Sequence, residues 1–206
     1  MNYTKIADTY NFECTMCANC CTGDTQILLD FFDLYKMGRF LDFRHSDKLF
    51  KQNYVFLTLT ENEIWRPQLR FKKKPFSFCP FLMHQIDDKG KIGGLCQLHP
   101  DNKPLVCATA PIGVRYDFEA DVTEYIFHPP APDCPGIQSH KQNHITDLDK
   151  KYRKELDYQQ ITFRILENIR PEDNNKEKMQ ELFSFPLYDD FNTTLSTIMK
   201  MANIFI

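Results

Sequence analysis

Glycine is scarce in this chain, with seven in 206 residues. G-x-G-x-x-G, G-x-x-x-x-G-K-[ST] and G-x-S-x-G are all absent, so no dinucleotide fingerprint, P-loop or nucleophile elbow is offered. A Rossmann-type methyltransferase, which needs a glycine-rich turn after its first strand, is not expected for the same reason. Long apolar runs are missing as well. No stretch approaches the roughly 18 apolar residues that span a bilayer, and "MNYTKIADTYNFE" has no apolar segment of signal-peptide type. Charge of one sign is also lacking, since 25 Lys and Arg stand against 28 Asp and Glu for a formal charge of −3. Neither nucleic acid nor membrane is therefore expected as a partner. The one basic run, Lys72-Lys73-Lys74, reads as a solvated loop.

What the chain has is cysteine, unevenly placed. "ECTMCANCCTGD" packs Cys14, Cys17, Cys20 and Cys21 into eight positions, and Cys79, Cys96, Cys107 and Cys134 follow, with none after that. Without a secretory signal the expected location is the cytoplasm, where thiols stay reduced. Clustered cysteines then point to metal ligation or redox chemistry before structural disulfides. Apolar residues make up 42% of the chain, enough for a core without covalent staples, and 18 Phe make that core aromatic.

The patterning predicts an α+β fold. Ile27, Leu28, Phe31, Phe32, Tyr35 and Leu41 recur at helical spacing, with Gly38 near the helix end. "YVFLTLTENEIWRPQLRF" alternates on both sides of Glu61-Asn62 and predicts two strands. Asp88-Lys89-Gly90 reads as a hairpin-like turn, and "IGVRYDFEADVTEYIFHPP" as a further strand pair. "HPPAPDCPG" is too rich in proline for anything but loop. Beyond it, Thr146 can cap a helix carrying Leu148, Tyr152, Leu156, Ile161, Ile165, Leu166 and Ile169, which Pro171 stops. Helices are expected over 175–184 and 189–203. The organisation read from this is a small Cys-rich, metal-stapled domain of short strands and helices over 1–138, followed by a C-terminal helical section over 139–206.

A C-x2-C pair reaches one metal ion because the turn between its members points both thiols inward. Cys14-x2-Cys17-x2-Cys20 extends this to three ligands, the spacing that opens a bacterial ferredoxin run whose fourth cysteine precedes proline. Here Cys79-Pro80 and Cys134-Pro135 supply such a cysteine twice. Zinc sites more often use two well-separated C-x2-C pairs. Adjacent side chains such as those of Cys20 and Cys21 are expected to diverge and to serve two centres. All eight cysteines are candidate ligands, for an iron–sulfur centre of [4Fe–4S] type or, alternatively, for zinc.

The order CxxCxxCC, then "FCPFL", then a cysteine ahead of Lys103-Pro104-x2-Cys107, then "DCPG", resembles the zinc- or iron-chelating CxxCxxCC cysteine-cluster family, which includes flagellin lysine N-methylases. The likeness covers about residues 12–137, and all eight cysteines fall on its pattern. It implies metal chelation and, in part of the family, lysine methylation of a protein substrate. The missing glycine-rich turn keeps the second from carrying over on motif grounds.

His84, His99 and His128 lie near Cys79, Cys96 and Cys134, and neutral imidazole can ligate zinc or one iron of a mixed-ligand cluster. With eight cysteines to hand, they are read first as hydrogen-bond partners of the site or as surface. His140 and His144 are read as surface. The acid pairs Asp87-Asp88 and Asp189-Asp190 fit a turn and a helix start better than acid–base catalysis, and no catalytic residue is assigned. Expected partners are a redox protein or a protein substrate.

Overall fold

The computed structural model describes residues 4–23, 25–73, 77–86, 88, 90, 92–120, 122–131 and 133–202. In chain order the elements are β1 (Thr4–Ile6), β2 (Thr9–Asn11), α1 (Phe31–Phe40), α2 (Asp47–Lys51), β3 (Val55–Leu59), β4 (Trp65–Leu69), β5 (Leu82–Ile86) and β6 (Ile92–Cys96). There follow α3 (Leu105–Thr109), β7 (Ile112–Asp117), β8 (Val122–Phe127), β9 (Gln142–His144), α4 (Ile145–Glu167), α5 (Lys176–Leu182) and α6 (Phe191–Met201). The class is α+β, with small antiparallel sheets. No helix among the described residues is long and apolar enough to cross a membrane.

The chain divides into two compact units, each assembled from three segments. The first comprises Met1–Thr25, Phe71–His99 and Leu105–Arg153 and contains all eight cysteines. Its largest sheet has the order β1-β8-β7, with Ile112 opposite Phe127 and Thr4 opposite the same phenylalanine from the other side. Two further pairs are β2 with β9 and β5 with β6. The β5–β6 pair is the expected hairpin, and Gly90 at its turn takes φ +75°, a conformation open to glycine without a Cβ penalty. Asp87 and Lys89 lie outside the described residues. A core of Ile112, Ile145 and Leu148 is flanked by Ile6, Tyr10, Tyr125, Phe127 and Tyr152.

The second unit comprises Gln26–Arg70, Pro100–Pro104 and Lys154–Ile206. The predicted strands on either side of Glu61-Asn62 are β3 and β4, paired from Val55–Leu69 to Leu59–Trp65. The expected first helix is α1. It begins only at Phe31, because Ile27–Leu29 bonds to β4 as an extended stretch, with Leu29 N donating to Pro67 O at 2.9 Å and Leu69 N to Ile27 O at 2.9 Å. A capping box then starts the helix: Asp33 N donates to Asp30 Oδ1 at 2.7 Å and Asp30 N to Asp33 Oδ2 at 3.2 Å, filling two donors that a helix start leaves open. Phe31, Leu34, Met37, Leu49, Phe183 and Phe185 are wholly buried, and the rings of Phe31 and Phe183 pack with centroids 4.7 Å apart and planes tilted by 31°. The core is aromatic, as the composition predicts. Asp190 caps α6, accepting from Asn192 N at 2.9 Å, so the pair Asp189-Asp190 is a helix start.

Another boundary also differs from expectation. Thr146 is not the cap of α4, since the helix already includes Ile145. Strand β9 runs straight into it, and Ile145 N donates to Asp8 O at 2.8 Å, so pairing with the β2 segment satisfies the first helical donor.

Candidate metal centre

The loop 14–21 is held at three stations, each next to a distant cysteine. Cys79 N donates to Cys21 O at 2.7 Å and Gly23 N to Ser77 O at 2.9 Å, while Thr22 bridges to Phe78. Gly94 N, two residues before Cys96, donates to Met16 O at 2.8 Å. Around Cys134, Asn19 Nδ2 donates to Asp133 O at 3.1 Å and Glu13 N to Gly136 O at 3.2 Å. Close approach needs glycine at the last two stations. A Cβ on Gly94 would meet Ala18 Cβ at 2.3 Å, and one on Gly136 would meet Glu13 O at 2.3 Å.

Within the loop, Met16 and Ala18 take left-handed φ values of 53° and 65°, which cost an L-residue roughly 1–2 kcal/mol each. These turns throw Asn19–Cys21 into a single 3-10 turn closed by Cys21 N donating to Ala18 O at 2.8 Å. The consequence corrects the expected divergence of the adjacent cysteines. Cys20 Sγ and Cys21 Sγ lie 3.9 Å apart. Nothing in the residue identities announces this, because neither left-handed position is a glycine.

Seven thiols lie within electrostatic reach of at least one other: Cys21 is influenced by Cys20, Cys79 and Cys107, Cys79 by Cys96 and Cys20, and Cys134 by Cys17 and Cys20. They arrive from the loop, from the turn three residues ahead of β5, from the end of β6, from α3 and from the Cys-Pro turn. Hydrogen bonding to Cys20, burial and the neighbouring thiols drive the Cys21 pKa far above its ordinary value. Burial, with Cys96 and Cys20 adding, pushes the Cys79 thiol up to about 11. Burial, then Cys17 and Cys20, raises Cys134. Cys14 is exposed at the loop's start.

All eight cysteines are free. Among the described residues no three His, Cys, Asp or Glu side chains converge closely enough to form a ready metal site. The fit to a metal therefore rests on donor chemistry and on the Cys20–Cys21 pair. The donors are soft thiols that select zinc or iron–sulfur centres, and 3.9 Å matches the edge of about 3.8 Å for a tetrahedron with 2.3 Å metal–sulfur bonds. His84, His99, His128, His140 and His144 are all exposed. The chain matches no protein-family model, no curated protein and no solved structure.

Proposed function

We propose that the chain is a metal–thiolate protein, with Cys14, Cys17, Cys20, Cys21, Cys79, Cys96, Cys107 and Cys134 as its ligands. One observation carries the reading: seven thiols from five separate places in the chain each lie within electrostatic reach of at least one other, and two of them, Cys79 and Cys134, are buried. Such thiols resist ionising alone, and a bound cation reverses that by taking the thiolate form. The motif likeness to zinc- or iron-chelating cysteine clusters supports the same conclusion. The stations that hold the loop against Cys79, Cys96 and Cys134 then position the ligands, and the metal staples them. When bound, an iron–sulfur centre supplies one-electron transfer to a redox partner, and zinc supplies a redox-silent cross-link beneath a protein-binding surface.

The spacing of Cys14, Cys17 and Cys20 favours a [4Fe–4S] centre, in which each iron takes one cysteine. The 3.9 Å separation of Cys20 and Cys21 favours an ion that takes both, which is the second reading: zinc, or an iron carrying two thiolates. Either centre suits a reducing, cytoplasmic setting.

Metal and acid-labile sulfide analysis of protein purified without oxygen, with its visible spectrum before and after dithionite, tests the proposal. Iron and sulfide in similar amounts, with a broad absorbance that bleaches, establish the redox centre. A colourless protein with stoichiometric zinc establishes the staple. Protein free of both metals, yet folded, overturns the proposal.

A further inference from the structure

A polar cleft of about 300 Å³ opens in the cysteine-bearing unit beside α3, on the side given by Ala108–Ala110. Tyr10 of β2 and His144 of β9 form one wall, and Asp147, Lys151 and Tyr152 from the first turns of α4 form the other. Asp147 and Lys151 stand one helical turn apart, on the same face of α4, yet make no ion pair with each other. Among the described residues the side chains of Tyr10, Asp147 and Tyr152 make no hydrogen bond, and the Lys151 ammonium sits 4.9 Å from the Tyr152 ring centroid. Burial and the neighbouring Tyr152 raise the Tyr10 pKa, so its hydroxyl remains a donor at neutral pH. His144 Nδ1 lies 3.9 Å from Asp8 Oδ1.

The volume lies at the small end of ligand pockets, which run from roughly 300 to 1,000 Å³. A nucleotide is too large for it. A phosphate dianion would meet the Asp147 carboxylate, and an apolar ligand would leave the ammonium, the carboxylate and the phenols without partners. The charges nearly cancel but are held apart, so a complementary ligand carries both signs.

We propose that this cleft binds a small zwitterion of the amino-acid class. Its carboxylate lies against the Lys151 ammonium and the Tyr10 hydroxyl. Its ammonium lies against the Asp147 carboxylate, one helical turn from Lys151, where charge pairing holds it. The site is independent of the metal reading, because none of its charged groups is a thiol.

Calorimetric titration of the full chain with each of the common amino acids, and with acetate and ethylamine as half-ligands, tests it. At least one amino acid should bind with Kd below about 1 mM, and each half-ligand at least about tenfold more weakly, the loss expected for one charged hydrogen bond. Lys151→Met and Asp147→Asn should each weaken the best amino acid by about tenfold or more, while Lys151→Arg retains binding. Both positions are exposed, so circular dichroism should be unchanged. The proposal is overturned if no amino acid binds below about 10 mM, a level of only ~3 kcal/mol. It is also overturned if acetate binds as tightly as the amino acid, or if binding survives both charge-removing variants.

Discussion

Cys20 Sγ lies 3.9 Å from Cys21 Sγ, too far for a disulfide of about 2.05 Å and close to the edge of a tetrahedral thiolate shell. Neighbouring residues reach this geometry because the left-handed Ala18 starts a 3-10 turn that carries both side chains to one side. Cys21→Ser should therefore remove metal from the purified protein, whereas His140→Ala, at an exposed position outside the ligand set, should not. Metal content per chain by elemental analysis decides it. A Cys21→Ser protein with full metal content would remove Cys21 from the ligand set.

Chelation should also cost stability. A structural zinc site contributes on the order of 10 kcal/mol to folding, so a strong chelator should melt the cysteine-bearing unit or lower its transition temperature steeply. Thermal melts with and without chelator read this directly. A transition that does not move would mean that the loop stations alone hold the unit.

The contact between Gly94 and Ala18 predicts a coupled pair. Gly94→Ala places a Cβ 2.3 Å from Ala18 Cβ, an overpacking that costs roughly 1–3 kcal/mol. Ala18→Gly removes the Cβ that is struck and relieves the φ of 65°. The double variant should be more stable than the sum of the two single changes by more than about 0.5 kcal/mol. Urea melts of the four proteins measure the coupling; simple additivity would show that strand and loop do not meet there.

How much of this could be read from the sequence depended on the range of the contacts. The hairpin β3–β4 was legible because alternation and turn lie within one short stretch. Strands β1 and β2 escaped because three residues each carry no period, and their partners, β8 and β9, lie more than a hundred residues on. Helix α3 escaped because five residues between Pro104 and Pro111 look like loop. The candidate ligands were visible as a spacing. Their grouping was not, because it follows from backbone hydrogen bonds at Met16, Cys21 and Gly136 between segments far apart in the chain, which no local pattern announces.

A pH effect is expected in the helical unit. Asp30 is buried beside Asp33, and these two causes outweigh the Asp33 N–H, Lys36 and Arg66, pushing its carboxyl up to about 8. Its unfolded value is about 3.9. Between these values the folded chain holds a proton that the unfolded chain releases, so this contribution is complete below about 4 and is lost as pH rises through about 8. Asp30→Asn keeps a competent helix cap and removes the titration. Its melting temperature relative to the parent should rise from pH 6 to pH 9. A constant difference would show that Asp30 is ionised throughout.

The interleaving of the two units has a consequence for how the protein is made. A ribosome delivers Cys14, Cys17, Cys20 and Cys21 first, then a long segment that folds elsewhere, then Cys79, Cys96, Cys107 and finally Cys134. At roughly 5–20 residues per second, the interval between Cys21 and Cys134 is on the order of ten seconds. Throughout it the emerging chain displays four thiols without their distant companions, free to capture whatever soft cation is at hand. If the chain is the metal–thiolate protein proposed above, the identity of its metal becomes partly a matter of timing, decided by which ion is present when the last Cys-Pro turn leaves the ribosome.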